Sequence, residues 1–201
     1  MNDNIIMLLA KLKKYSLMTY NHSIAVSNMC VSFGRMIGLN ECEIEKLRIA
    51  GLLHDIGKLN IPLSILHKSS NLTLEEYNIL KKHPLYGVNL LIKVGFKDED
   101  ILNLILCHHE KLNGLGYPNG LKENSIPLLA RILTICDCYD AMSSKRTYKE
   151  AKDIDYIKKE FIKNSGEQFD NYYVNLFLPY LDITMANDNL KLASYSITNY
   201  M

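Results

Sequence analysis

Histidine and aspartate residues are the part of this sequence that could carry chemistry. His54 is followed directly by Asp55, His108 is followed directly by His109, and Asp137 lies inside a mostly apolar stretch. A buried carboxylate is costly unless it is paired or bound to a metal. Imidazole nitrogen with carboxylate oxygen is a ligand mix that suits iron, manganese or zinc. Any one helical histidine is more often a core or surface residue, but these pairs together indicate a metal site.

Lys58 follows the His-Asp pair and could add a positive charge to such a site. On a continuing helix it would share the face of His54 and Asp55, where it could stabilise charge on a phosphate. A lysine that caps the C-terminal end of the helix is an equally good interpretation, since Gly57 makes a helix end plausible. The spacing alone leaves both interpretations open.

Two further features could contact a ligand. The glycine-rich stretch 113–120 contains Tyr117, which could stack on a base or donate its hydroxyl. Arg146 and Lys149 follow the helix of Asp137, and both side chains suit phosphate oxygens. An ordinary surface loop and a solvated basic helix end explain these features equally well when each is taken alone.

The elements that must position these residues are helices. Apolar residues recur mostly at helical spacing, and five prolines and ten glycines are all that interrupt a chain of 201 residues. The spacing predicts helices at 3–14, 18–38, 41–57, 73–82, 84–94, 98–111, 127–143, 153–164 and 170–182. We therefore expect an all-α fold, a compact single-domain helical bundle, with non-helical segments at 59–72 and 112–126.

Local signals mark the starts of three of these helices. Thr73 with Glu76 fits a capping box. Asp98 is a plausible N-cap for the helix predicted at 98–111. Pro127 suits a first helical turn.

Composition restricts the partners and the location. The net charge of +1 gives no global basic field, so we expect neither DNA nor RNA nor a membrane surface as a partner. No apolar run approaches the ~20 residues that span a bilayer, and the N-terminus lacks the pattern of a signal peptide. The five cysteines include no C-x-x-C pair, which favours reduced thiols and a cytoplasmic protein.

The ordered series of motifs resembles the HD-GYP family. The resemblance runs from about residue 19 to residue 181 and implies an all-helical, metal-dependent phosphodiesterase that hydrolyses cyclic di-GMP to linear pGpG. It is carried by His54-Asp55-Ile56-Gly57-Lys58, His83-Pro84, His108-His109-Glu110, Asn113-Gly114-x-Gly116-Tyr117-Pro118-x-Gly120-Leu121, Ala130-Arg131-Ile132, Asp137-x-Tyr139-Asp140-Ala141-Met142 and Arg146-x-Tyr148-Lys149. With this resemblance we expect a short helical extension at 1–17 and the catalytic domain at 18–183. Residues 184–201 are polar and weakly patterned, which predicts a loosely packed tail.

The resemblance also assigns the site residues. The metal ligands that it implies, for two divalent ions with Fe or Mn expected, are His22, His54, Asp55, His83, His108, His109 and Asp137. Asp55 is expected to bridge the ions, and Lys58 to face the scissile phosphate. Arg146 and Lys149 match positions that hold phosphate, and Tyr117 is the tyrosine of the glycine-rich loop.

One departure from the family pattern limits what can be carried over. Met18 stands where members with three metals carry Glu, and Ser16 where the family often has Asp, so we expect two ions. This puts in doubt any further cleavage of pGpG. Alternatives are a catalytically silent module that binds a cyclic dinucleotide, a phosphohydrolase for another nucleotide, and a hybrid cyclic GMP-AMP substrate. The apolar N-terminal helix could serve a homodimer or a signalling partner protein.

Overall fold

The fold is built from helices joined by short turns and one long loop. The computed structural model describes the backbone of residues 3–144 and 151–198, and the side chains of residues 3–144 and 151–184. The helices are α1 (Asp3–Tyr15), α2 (Leu17–Met36), α3 (Glu41–Leu53), α4 (Leu63–Leu66), α5 (Leu74–Leu80), α6 (His83–Lys93), α7 (Glu99–Cys107), α8 (Leu128–Ser143), α9 (Ile154–Lys163) and α10 (Asn171–Thr198). Two 3₁₀ helices span Ile56–Asn60 and Glu123–Ser125. The described residues form isolated β-bridges but no strand, so the all-α prediction is confirmed.

The main core lies between α2, α3, α7, α8 and α10. Phe33 of α2 packs against Phe177 and Tyr180 of α10, with ring centroids 5.0 and 5.3 Å apart. The first helix adds three buried side chains to this core: Ile5, Leu8 and Leu12. Because each large apolar side chain contributes roughly 1.5–3 kcal/mol when buried, this core is what holds the helices together.

A smaller core lies under the segment that we expected to be non-helical. Within that segment, α4 begins after Pro62 and buries Ile65 and Leu66. These two residues and Ile61 form a second cluster, and Tyr15 Oη donates a hydrogen bond to the Ile61 carbonyl at 2.7 Å. The prediction for 59–72 is therefore wrong at α4, because tertiary burial stabilises a single turn that periodicity cannot reveal.

Helix starts agree with their local signals. Thr73 and Glu76 form the predicted capping box, and the Asp98 side chain accepts a hydrogen bond from the N–H of Ile101. Pro127 is the N-cap of α8, one residue before the first turn in which we expected it.

Two helices end four residues earlier than predicted. The end of α3 is Leu53 rather than 57, and that of α7 is Cys107 rather than 111. In both cases a histidine follows at once, His54 or His108, and its ring bonds to a carbonyl of the last turn. This side-chain bond replaces the next backbone bond of the helix, and the chain turns.

The last helix continues beyond its predicted end. We expected an end at 182 and a polar tail, but the backbone is helical to Thr198. Pro179 lies inside this helix, and no Gly or Pro follows it in the sequence to stop the helix. We also expected loose packing for 184–201. The side chains beyond residue 184 lie outside the described part, so this stays a prediction. The division at 17 and 183 stays a prediction.

Two observations bear on the surroundings of the protein. Among the described helices, none combines the length and the apolar character needed to cross a bilayer. All five cysteines are free thiols. The cytoplasmic location stays a prediction.

Candidate metal centre

Seven histidine and aspartate side chains meet where five helices converge. They form three overlapping groups, and within each group one potential ligand atom per residue lies within 4.8 Å of the others. The groups are His83 with His108 and His109, His22 with His54 and Asp55, and His54 with His108 and Asp137. These are the seven residues that the resemblance assigns to metal binding. The structure thus brings all of them together in a cluster that could hold metal.

Helix interiors position two of these residues, and helix ends position the rest. His22 lies inside α2 and Asp137 inside α8. The others lie at ends: His54 and Asp55 after α3, His83 at the first residue of α6, and His108 and His109 after α7. A side chain at a helix end can point along the helix axis into a shared space, so several helices can contribute to one small site.

Backbone carbonyls set the proton positions of three of the histidines. His54, His83 and His108 each place ring Nδ1 against the carbonyl three residues earlier in the chain. The Nδ1···O distances are 2.8 Å to Gly51, 2.8 Å to Leu80 and 2.6 Å to Ile105. Because a carbonyl can only accept, Nδ1 carries the proton and donates it. In the neutral ring Nε2 then has the free lone pair, which is the form of histidine that binds metals.

The Nε2 atoms that result are unprotonated and lie close to one another. Burial lowers the pKa of His83 to about 3 and that of His108 to about 4, so both rings are neutral near pH 7. Their Nε2 atoms lie 3.2 Å apart. His54 Nε2 and Asp55 Oδ1 are also buried, and neither has a hydrogen-bond partner among the described residues. Buried acceptors in such proximity are costly unless a cation binds them, so the residues present fit a metal ion.

Asp55 lies between the groups. Its Oδ2 is 3.5 Å from His54 Nε2 and 3.8 Å from His22 Nε2, while its Oδ1 is 3.3 Å from His83 Nε2. Burial acts to raise the pKa of Asp55, but Lys58 and the histidines outweigh it and hold the pKa well below its usual range. An ionised carboxylate with one oxygen toward His22 and His54 and the other toward His83 is the arrangement that a bridging ligand needs.

His22 is held between two carboxylates of α8. Its Nε2 lies 2.9 Å from Asp137 Oδ1, and its Nδ1 lies 2.5 Å from Asp140 Oδ2. Burial by itself lowers the pKa of His22, but these two hydrogen bonds outweigh it and raise the pKa to about 9. Burial would raise the pKa of Asp137, yet its histidine neighbours keep it well below the usual range.

Asp140 is a residue of the site that the sequence analysis did not assign. Metal-binding histidines commonly donate their second ring N–H to a carboxylate, which fixes the ring. Asp140 has that relation to His22. The available signal was its position three residues after Asp137, which places both on one face of a helix.

Lys58 lies beside the cluster, although α3 does not continue to it as one of its two interpretations required. It lies on the 3₁₀ helix that follows α3, not on a continuation of α3. Its Nζ donates to Asp55 Oδ2 at 2.5 Å, and its side chain lines a cavity of about 320 Å³ that opens beside the cluster. Met18, His22 and Asp55 line the same cavity.

The glycine-rich loop contacts the cluster through Tyr117. The ring of Tyr117 lies against His109 in a tilted arrangement, with centroids 4.7 Å apart and an interplanar angle of 33°. Glu110, which the sequence analysis did not single out for a role, fastens this loop: its buried carboxylate accepts the N–H groups of Asn119 at 2.7 Å and Leu121 at 3.0 Å. One face of Tyr117 is thus against a histidine of the cluster.

Arg146 and Lys149 fall in the segment 145–150, which lies outside the described residues. Their expected contact with phosphate stays a prediction.

Comparison with known proteins agrees with the motifs. The chain is 38% identical over 149 residues to cyclic di-GMP phosphodiesterase PA4108 of Pseudomonas aeruginosa, a match that covers 74% of this chain and 36% of that protein. It is 37% identical over 166 residues to 3'3'-cGAMP-specific phosphodiesterase 2 of Vibrio cholerae, with 82% and 32% covered. The chain therefore spans about a third of the length of these relatives.

The fold has counterparts among solved structures. The HD domain of the L. monocytogenes phosphodiesterase PgpH superposes with a TM-score of 0.67 at 18% identity, covering 90% of this chain and 98% of that one. The model of the HD domain family matches residues 4–172. This match includes every residue of the cluster and most of the chain, and the chain belongs to the HD domain family.

Proposed function

We propose that this chain is a metal-dependent phosphodiesterase that hydrolyses cyclic di-GMP to linear pGpG. The observation that carries the proposal is the buried cluster of seven histidine and aspartate residues beside a cavity that also contains Lys58. Similarity to proteins named cyclic di-GMP and 3'3'-cGAMP phosphodiesterases supports a cyclic dinucleotide as the substrate class.

The ligand set suits two divalent ions. Seven nitrogen and oxygen ligands in overlapping groups exceed what one ion requires, and their mixture favours Fe or Mn, which we propose as the metals. Asp55 would be shared, because its two oxygens face different histidines. When bound, such ions supply Lewis acidity toward phosphoryl oxygens and make water nucleophilic at neutral pH.

The reaction is a hydrolysis. Water adds to one phosphorus of the cyclic dinucleotide, the bond from that phosphorus to the 3′-oxygen breaks, and the 3′-oxygen takes up a proton. The other phosphodiester stays intact, which gives the linear dinucleotide.

The chain's own residues would bind the substrate and stabilise its charge. Lys58 lies at the cavity beside Asp55, from where its ammonium group could hold the negative charge that grows on the scissile phosphate. We propose that Arg146 and Lys149 hold the second phosphate and fix the orientation of the substrate. Tyr117 would offer to a base the ring face that does not contact His109.

Hydrolysis of 3'3'-cGAMP is the second candidate function. It is favoured by the 37% identity to a Vibrio cholerae protein named as specific for that nucleotide. Both candidates use the same phosphodiester chemistry and differ in one base.

The test is anaerobic purification with metal quantification, followed by incubation with either cyclic dinucleotide and chromatography of the products. We expect close to two ions per chain and accumulation of the linear dinucleotide. The Asp55→Ala variant should lose metal and turnover together. Bound nucleotide without product, at full metal content, would instead identify a silent binding module.

We also propose action in the cytoplasm, a catalytic domain at 18–183 and a homodimer or a signalling partner protein. The exposed side chains of Ile6 and Met7 on α1 support an interface on that helix.

A further inference from the structure

The cavity beside the metal centre extends from the histidine and aspartate cluster to an exposed loop. Its inner end is formed by His22, Asp55 and Lys58. Its outer end is formed by residues 68–72, which connect α4 to α5. We call Ser69, Ser70 and Asn71 of this connection the rim segment.

The rim segment is anchored on both sides. Before it, Lys68 Nζ donates to Glu76 Oε2 at 2.5 Å, and the same oxygen accepts the N–H of Thr73 at 2.7 Å. After it, Leu72 packs against the second hydrophobic cluster. A short connection held at both ends keeps its position relative to the cavity, which a binding element requires.

The polar groups of the rim segment are unused within the fold. The hydroxyls of Ser69 and Ser70 and the amide of Asn71 make no hydrogen bond to any residue that the structure describes. Their backbone N–H groups donate to none of the described residues either. All three residues are exposed at the cavity mouth, so these donors and acceptors are available to a ligand.

Another wall of the cavity is apolar. Met18, Ile65 and Leu66 line it, and the last two are buried in the second cluster. A nucleobase needs this combination, because its faces are apolar while its edge both donates and accepts hydrogen bonds. The cavity thus offers the ammonium group of Lys58 beside the metal centre, an apolar wall, and the polar rim segment.

We infer that the rim segment binds the edge of the guanine next to the scissile phosphate. The face of this guanine would lie against the apolar wall. The inference rests on the proposed function, since it takes the phosphate of a cyclic dinucleotide to lie at the inner end. It makes the rim segment a specificity element and assigns it no part in bond cleavage.

The test compares two substrates in the metal-loaded full chain. Cyclic di-GMP has the base, and bis(p-nitrophenyl) phosphate is a phosphodiester without one. The variant is the triple substitution Ser69→Ala, Ser70→Ala and Asn71→Ala, which alters exposed side chains only. The matched control is Asn78→Ala, an exposed residue of α5 outside the cavity.

We expect the triple variant to lose about tenfold in kcat/KM for cyclic di-GMP, mainly through KM, which is the effect of about one lost hydrogen-bond partner. The loss on bis(p-nitrophenyl) phosphate should be at least fivefold smaller, and the control should match the wild type on both substrates. An unchanged KM for cyclic di-GMP, or equal losses on both substrates, would overturn the inference. A wild type that cleaves bis(p-nitrophenyl) phosphate but neither cyclic di-GMP nor 3'3'-cGAMP would instead refute the proposed function.

Discussion

Single hydrogen bonds decide which atoms of the cluster are available to a metal. A carbonyl fixes the proton of His54, His83 and His108 on Nδ1 and leaves Nε2 open. His22 differs, because a carboxylate, Asp140, takes the place of the carbonyl. A charged acceptor makes a stronger hydrogen bond than a neutral one, so Asp140 should contribute strongly to the orientation of the His22 ring.

At this scale we predict that Asp140→Ala weakens metal binding by about 10–100-fold, because His22 loses the partner that orients its ring. Asp140→Asn should lose less, since the amide oxygen can still accept the Nδ1 proton. The measurement is competition for the metal with a chelator of known affinity. Asp155→Ala, an exposed aspartate of α9, is the control and should bind as the wild type does. Equal metal affinity in Asp140→Ala and the wild type would contradict the role of Asp140.

At the scale of elements, the close approach of the 3₁₀ helix to α6 brings Asp55 and Lys58 to His83. The contact is made at Gly57, where an added Cβ would lie 1.9 Å from the His83 carbonyl oxygen and 2.4 Å from the Gly87 nitrogen. These are backbone atoms, so relief requires one of the two helices to move. Gly57 of the His54–Lys58 motif is therefore required for helix packing, in addition to being compatible with a helix end.

We predict that Gly57→Ala lowers the free energy of unfolding by about 1–3 kcal/mol, the usual cost of overpacking. It should weaken metal binding as well, because the helix that moves either begins directly after Asp55 or carries His83. Urea denaturation and metal quantification check the two effects. Gly34→Ala is the matched control: the nearest atom to an added Cβ is a Leu39 methyl at 3.4 Å, and alanine is the better helix former. A Gly57→Ala variant as stable as Gly34→Ala would refute the packing argument.

At the scale of the whole molecule, the metal centre and the main core consist of different side chains. The core holds buried side chains such as Phe33, Leu47 and Phe177, none of which belongs to the cluster. The helices should therefore form without metal, and the metal should add stability to a fold that already exists.

We predict that chelation lowers the free energy of unfolding without removing the helices. For free metal at about 100 times its Kd, the loss is roughly 2.7 kcal/mol. Thermal unfolding with and without chelator measures the shift, and far-UV circular dichroism below the transition should keep its helical signal. Asp55→Ala should show a much smaller shift with chelator. Loss of the helical signal on chelation would mean that the site, rather than the core, holds the fold.

Helix starts could be predicted because their signals are local. The capping box of Thr73 and Glu76 and the cap at Asp98 each involve residues three apart. The ends at Leu53 and Cys107 were placed four residues too late, since the histidine bonds that stop these helices cannot be told from ordinary helical histidines by spacing.

The sequence by itself determined the helical class, the family, and the seven residues that the structure brings into one cluster. Periodicity, caps and ordered motifs are properties of near neighbours along the chain, and they survive without knowledge of the fold. Only the tertiary structure decided which oxygen of Asp55 faces which histidine, that Asp140 orients His22 from 118 residues away, and that Ser69–Asn71 lies at the mouth of the cavity. Such contacts depend on how whole helices pack, and packing is set by the buried faces of all of them together.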